Sequence, residues 1–315
     1  DMEYAVSETS DTWTQVTGIT DSGMLAMEPG TWYFRYKETD EKKVSAATKV
    51  IVKGEGVASV EQGDVNYGTK PDPKAETSTN TEKTAVIEYK EASSDDTAYS
   101  QTVPTAVGNY TVRATFAETE AYGEAVATTD FSIRYLETPE PPYTLVGTKG
   151  ENGYYTSNVV VKPAKGYMIS TELNGTYVES LTIQNSQSGT VFYLRNASGE
   201  RTGALRLETI KIKKQTPKLS LENGKTYYGD SQKLVIQDDY LSQVYVNGVL
   251  QNLDGTEFVL QLGSNNGKKK YEITAVDVAG NKKTILVTVA AAWMKTGIIP
   301  EGVLVNLETG NGYKL

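Results

Sequence analysis

Cysteine and histidine are both absent from the 315 residues. Without cysteine there is no disulfide framework, no thiolate nucleophile and no thiol-based metal site. Without histidine the chain lacks the usual general base near neutral pH and the commonest imidazole metal ligand. Serine–histidine and cysteine–histidine catalysis are therefore excluded. Long apolar runs are missing too. The longest nearly apolar stretch, residues 285–294, includes a threonine and is half of the roughly 20 residues a membrane-crossing helix needs. Asp1-Met2 begins no signal sequence, and such an opening reads as the interior of a longer precursor.

What is present is enough to fold. Hydrophobic residues make up 38% of the chain, with 28 glycines, 10 prolines and 21 tyrosines, a profile of packed domains rather than of disorder or of helical bundles. At typical domain sizes of about 100 residues, the length asks for three or more cores. The net charge of −9 is uneven: residues 1–135 carry 23 acidic against 12 basic side chains, residues 136–315 carry 17 against 19. The acidic half should repel nucleic acid and anionic membranes. Lys211, Lys213, Lys214 and the run Lys268 to Lys270 are the basic clusters. With no aromatic platform among them, they read as solvated strand edges and a turn.

Short alternating runs of aromatic and β-branched residues recur throughout, while helical periodicity is nearly absent. Trp32-Tyr-Phe-Arg-Tyr36, Tyr110-Thr-Val-Arg-Ala114, Val191-Phe-Tyr-Leu-Arg195 and Tyr271-Glu-Ile-Thr-Ala275 are each followed by a polar loop and a second run. Those second runs are Thr48 to Val52, Asp130 to Ile133, Leu207 to Ile212 and Thr284 to Val289. Four such closing hairpins, anchored at Trp32, Tyr110, Phe192 and Tyr271 at intervals of 78, 82 and 79 residues, predict a repeated module. Gly30-Thr-Trp-Tyr-Phe-Arg35 and Gly108-Asn-Tyr-Thr-Val-Arg113 share wording as well as spacing. Asn-Gly pairs at 152, 174, 223, 247 and 266 supply turn chemistry, and Asn247-Gly248 between Val244-Tyr-Val246 and Val249-Leu250 is the clearest hairpin.

Boundaries are expected where alternation stops: Lys53-Gly-Glu-Gly56, Thr138-Pro-Glu-Pro-Pro142 and Gln215-Thr-Pro217. The proline-containing joints should be semi-rigid and extended. The expected division is 1–54 (an immunoglobulin-like or fibronectin-like module, short or lacking its leading strand), 55–135, 136–216 and 217–290. A tail over 291–315, with Leu304-Val-Asn-Leu307 and Tyr313-Lys-Leu315, would open a further module. The fold class is all-β: tandem immunoglobulin-like β-sandwich domains in an elongated array, for which small-angle scattering should report an elongated particle.

Ala275-Val-Asp-Val-Ala-Gly-Asn281, followed by Thr284 to Val289 and preceded by Val246-Asn-Gly248, resembles the closing hairpin of bacterial immunoglobulin-like modules. Tyr67-Gly68, Glu88-Tyr-Lys90 and Val107 to Arg113 resemble another repeat type of the same large surface proteins. The resemblance covers residues 56–134 and 218–289 best. It implies a β-sandwich and a secreted or cell-wall-attached setting in Gram-positive bacteria, where modules without cysteine are ordinary. It implies no catalytic residue.

Ligand chemistry is weighed on few residues. Asp238-Asp239, Asp254 and Asp277 offer oxygens to calcium, but without an EF-hand-type loop they read first as turn formers, with Asp277 bonding its own backbone. Tyr154-Tyr155 and Tyr227-Tyr228 offer faces for sugar stacking; neighbours in a strand point oppositely, so one of each pair should face outward, and core packing explains most such rings. Among 40 acidic residues, proximity such as Asp95-Asp96 has no diagnostic value for a glycosidase pair. A lysine–asparagine isopeptide bond is open to such a chain, but no spacing selects a pair. The expectation is a non-catalytic, extracellular stalk or spacer without cofactor or metal, monomeric, binding no nucleic acid and lacking a membrane span. The alternative is an adhesin or carbohydrate-binding module recognising glycan or host protein through exposed tyrosines or loop ends.

Overall fold

The computed structural model describes residues 1–20, 23–305 and 312–314. Contacts divide the chain into two compact units, Asp1–Glu137 with Arg195–Gly203, and Thr138–Leu194 with Ala204–Leu315. Both are built almost wholly of antiparallel strands, as period-two alternation predicts.

In the first unit, strands Thr14–Gln15, Met2–Ala5, Gly30–Tyr36 and Thr48–Val52 form one four-stranded sheet in that order. Register places Met2 opposite Tyr36, Tyr4 opposite Phe34 and Trp32 opposite Val50, so one face is aromatic and aliphatic. Glu3 and Arg35 pair at 2.6 Å on the other face, where the Arg35 guanidinium lies 3.8 Å from the Trp13 ring centre. Among the described residues no second sheet covers the apolar face. The next sheets are two-layered. Ala58–Glu61 with Lys74–Thr77 lies over Val65–Asn66, Ala125–Arg134, Gly108–Phe116 and Val86–Glu91. Alternation in Gly108–Phe116 sends Tyr110, Val112 and Ala114 inward to meet Val60, Tyr89, Phe131 and Ile133. Asn80 is fully buried, yet its amide donates to the carbonyls of Ala117 (2.9 Å) and Gly123 (3.0 Å), which offsets the cost of its desolvation.

Residues 143–212, which apart from 195–203 belong to the second unit, pair Tyr143–Val146, Val159–Pro163 and Leu181–Ile183 in one sheet and Tyr167–Ser170, Val191–Asn196 and Leu205–Arg206 in another. Val161, Ile169, Phe192, Leu194 and Leu207 fill the space between, with Tyr143 edge-on to Phe192 at 5.4 Å. The expected hairpin partner of the Phe192 strand was 207–212. Its ladder instead runs to Leu205–Arg206, while Lys211–Ile212 pairs in parallel with Tyr154–Tyr155. The reason is burial: Leu207 and Ile210 turn into the core between the two short pairings.

Residues 218–290 make the largest sandwich. Lys218–Leu219, Ser231–Gln237 and Glu257–Gly263 face the five-stranded sheet Thr226–Tyr228, Lys282–Ala290, Lys268–Asp277, Leu241–Val246 and Val249–Leu250. Leu234, Ile236 and Leu262 from one layer meet Val244, Ile273, Ala275, Ile285, Val287 and Val289 from the other. At about 1.5–3 kcal/mol per fully buried aliphatic side chain, this core dominates the local stability. Asn247 (φ 51) and Gly248 (φ 77) form the expected hairpin turn between Val246 and Val249. Beyond it, strands Val303–Val305 and Gly312–Lys314 pair antiparallel, and part of the predicted tail, residues 306–311 and 315, lies outside the described residues.

Candidate functional site

Two places concentrate chemistry, one in each unit. The first is the uncovered apolar sheet face. Met2, Phe34, Tyr36, Ala46 and Val50 line an open depression of about 660 Å³ there. Tyr4 packs edge-on to Trp32 (5.5 Å) and tilted against Phe34 (6.0 Å), so the rings are mutually packed and do not form a coplanar platform. Tyr36 is 60% exposed.

The second surrounds Lys213, where the ends of the 143–212 and 218–290 sandwiches meet. The ammonium of Lys213 donates to Asp238 Oδ2 (2.8 Å) and to the Gln215 carbonyl (2.6 Å), and it lies 3.3 Å from Asp277 Oδ2. The lysine side chain is 15% exposed and that of Asp277 is fully buried. Desolvation alone would push the lysine pKa down; the bonds and charges of Asp238 and Asp277 outweigh it and hold the pKa above the ordinary value. The expectation of a solvated edge therefore fails for Lys213. Lys214 is exposed but reaches Asn158 Oδ1 and the Gln184 carbonyl, both at 2.8 Å. The Lys268 to Lys270 stretch does behave as a strand edge on one side, because pairing with Leu241–Val246 begins only at Ile273.

Of the acidic residues considered for calcium, Asp238 and Asp277 converge, but on an ammonium. Asp239 is exposed beside them in an open cleft of about 620 Å³, and Asp254 is exposed in its own loop. Asp277 Oδ1 accepts the backbone N–H groups of Ala279 and Asn281, both at 2.9 Å, as its turn role requires. Asn281, the last residue of the Ala275 to Asn281 motif, also donates from Nδ2 to Asp277 Oδ2 (2.8 Å) and to the Lys213 carbonyl (2.9 Å). The same turn receives Glu151 N–H at the Ala279 carbonyl (2.9 Å) and Asn152 Nδ2 at the Val278 carbonyl (2.8 Å). Among the described residues no group of three or more acidic side chains is placed to hold a metal ion.

No protein-family model matches the chain, and no curated protein matches it. Solved structures align with it at low similarity. The N-terminal eight immunoglobulin domains of Down Syndrome Cell Adhesion Molecule align over 92% of this chain and 45% of theirs, at 12% identity and a TM-score of 0.26. The sialic acid binding region of a Streptococcus sanguinis adhesin aligns over 80% and 81%, at 12% identity and a TM-score of 0.23. A Bacteroides ovatus protein from a mixed-linkage glucan utilization locus aligns over 72% and 65%, at 11% identity and a TM-score of 0.17. The chain thus spans less than half of the first of these proteins and under two thirds of the third.

The tyrosine pairs resolve differently. Tyr228 is 49% exposed while Tyr227 packs on the core, the expected alternation. Tyr154 and Tyr155 are both half-buried, because Tyr154 meets Tyr240 at 6.2 Å and Tyr155 lies against Gly147. Asp95 and Asp96 serve local structure: Asp95 accepts the Thr97 N–H at the start of a short helix and Asp96 pairs with Lys90 at 2.9 Å. No helix among the described residues is long and apolar enough to cross a membrane.

Proposed function

We propose that this chain is a non-catalytic spacer of a secreted or surface-attached bacterial protein, built of modules over 1–54, 55–135, 136–216 and 217–290. Residues 291–315 are its tail or the start of a further module. The observation that carries this reading is the way consecutive modules join within each unit. At 53–56 the Gly54 N–H donates to the Ala121 carbonyl (2.8 Å) and its own carbonyl accepts from Gly123 N–H (2.9 Å). Lys53 pairs with Glu118 at 2.6 Å and Lys49 with Glu120. A Cβ on Gly56 would stand 2.6 Å from the Gly123 carbonyl oxygen, so the glycine serves close approach and not flexibility. Fitted joints of this kind transmit orientation, which a spacer needs and a string of loosely tethered binding domains does not.

A second reading, recognition of a glycan or host protein, is favoured by the uncovered face at Met2, Phe34, Tyr36 and Val50, because contiguous exposed apolar surface marks interaction sites. A glycan array and a panel of extracellular matrix proteins probed with the full chain separate the two. The spacer reading expects no saturable binding. Saturable binding that Tyr36→Ser abolishes would replace it with the adhesin reading.

A further inference from the structure

We infer that Lys213 is a built-in cation at the joint between the 143–212 and 218–290 sandwiches, taking the place between Asp238 and Asp277 that a divalent ion would otherwise fill. The donor and acceptor inventory supports this. An ammonium has three protons, and three acceptors surround this one: the Gln215 carbonyl, Asp238 Oδ2 and Asp277 Oδ2. A carboxylate offers about four lone-pair positions. On Asp277 all are taken, by Ala279 N–H and Asn281 N–H at Oδ1 and by Asn281 Nδ2 and the lysine at Oδ2. Calcium needs six to eight oxygens at its own distances. It would have to displace both the lysine and the asparagine to coordinate Asp277 through a free oxygen.

The lysine comes from one sandwich and the two aspartates from the other, 25 and 64 residues later, so the ion pair spans the joint. Its backbone is held there as well: Lys213 N–H donates to the Tyr155 carbonyl (2.9 Å) and Lys213 C=O accepts from Asn281 Nδ2 (2.9 Å). The joint is thereby cross-linked by a cation that the chain carries itself and that no chelator removes. The inference stands independently of the spacer reading, since a binding module needs the same joint.

Thermal unfolding of the full chain tests it, in chelator and in calcium raised to about 10 mM, above the roughly 0.1–1 mM at which weak extracellular calcium modules bind. Wild type should show the same Tm in both. Lys213→Met should lower the Tm of the second unit by roughly 5–15 °C, as loss of one partner of a buried pair implies. Asp238→Asn should lower it as well, and the double variant should fall by less than the sum of the two, because they remove one interaction. Should Lys213→Met not fold, Asp238→Asn and the calcium comparison carry the test. A calcium-dependent rise in wild-type Tm that Asp238→Asn abolishes overturns the inference. Wild-type melting in both single variants, or strictly additive losses, overturns it equally.

Discussion

The anchor aromatics that mark the repeat do more than fill the core. Tyr110 donates its hydroxyl to the Ala106 carbonyl (3.0 Å), Tyr271 to the Gly263 carbonyl (2.7 Å), and Trp32 its indole N–H to the Glu28 carbonyl (2.8 Å). Each fastens the preceding loop to its strand. Phe192 has no such handle and is wholly buried, with Tyr143 packed on its edge. The two kinds of anchor should respond differently to substitution. Tyr110→Phe removes one hydrogen bond and should cost about 0.5–1.5 kcal/mol, whereas Phe192→Ala leaves a cavity and should cost about 3–5 kcal/mol. Urea unfolding of both variants measures the contrast; equal losses would mean that the hydroxyl bond, not packing, governs these positions. The anchors were readable because alternation and aromatic content are local signals. The burial of Lys213 was not. Lys211, Lys213 and Lys214 look alike in sequence, and only the distant Asp238 and Asp277 distinguish the middle one.

At the scale of elements, strands and tight turns were legible wherever the chemistry was local, as at Asn247-Gly248. Pairings between distant segments were not. The parallel contact of Tyr154–Tyr155 with Lys211–Ile212 joins two-residue strands whose composition predicts nothing about partners. The single sheet over residues 2–52 was equally hidden, since alternation reports that a strand has an apolar face but not what covers it. The Ala-Gly-Asn turn shows how a motif read for its own backbone acquires a second duty through contact. Gly150 lies so close to it that an added Cβ would stand 2.4 Å from the Ala279 carbonyl oxygen. Gly63 has nothing within 4 Å and a backbone any residue adopts. Gly150→Ala should therefore destabilise the second unit by about 1–3 kcal/mol through overpacking, while Gly63→Ala leaves the first unit within about 0.5 kcal/mol of wild type. Matching denaturation curves for the two variants would show that the turns do not interlock as described.

For the molecule as a whole, the missing histidines and cysteines return as a prediction about pH. With neither residue present, no side chain of ordinary pKa changes charge between about pH 5.5 and 8.5. Below that window the paired carboxylates matter. Hydrogen bonds from Asn196 and Asn66 hold Glu200 under its usual range, and bonds with Lys53 and Lys49 do the same for the exposed Glu118 and Glu120. A depressed folded-state pKa contributes stability above the unfolded value, and that stability disappears as pH falls through the folded one. Above the window the sign reverses. Lys213 is held above its ordinary range by its aspartates against the opposing pull of desolvation, and burial raises the Tyr89 and Tyr110 hydroxyls. These groups bind protons more tightly when folded, so their contribution is full below the unfolded pKa of about 10 and vanishes as pH climbs through the folded value. The urea midpoint should thus be flat from about pH 5.5 to 8.5 and decline on both sides, the acid limb reflecting the first unit's carboxylates and the alkaline limb including the Lys213 joint. Removing the lysine tests the assignment: Lys213→Met should lower the plateau and flatten the alkaline limb. A step in the wild-type midpoint between pH 6 and 8 would contradict the account, because no side chain of ordinary pKa titrates there to produce it.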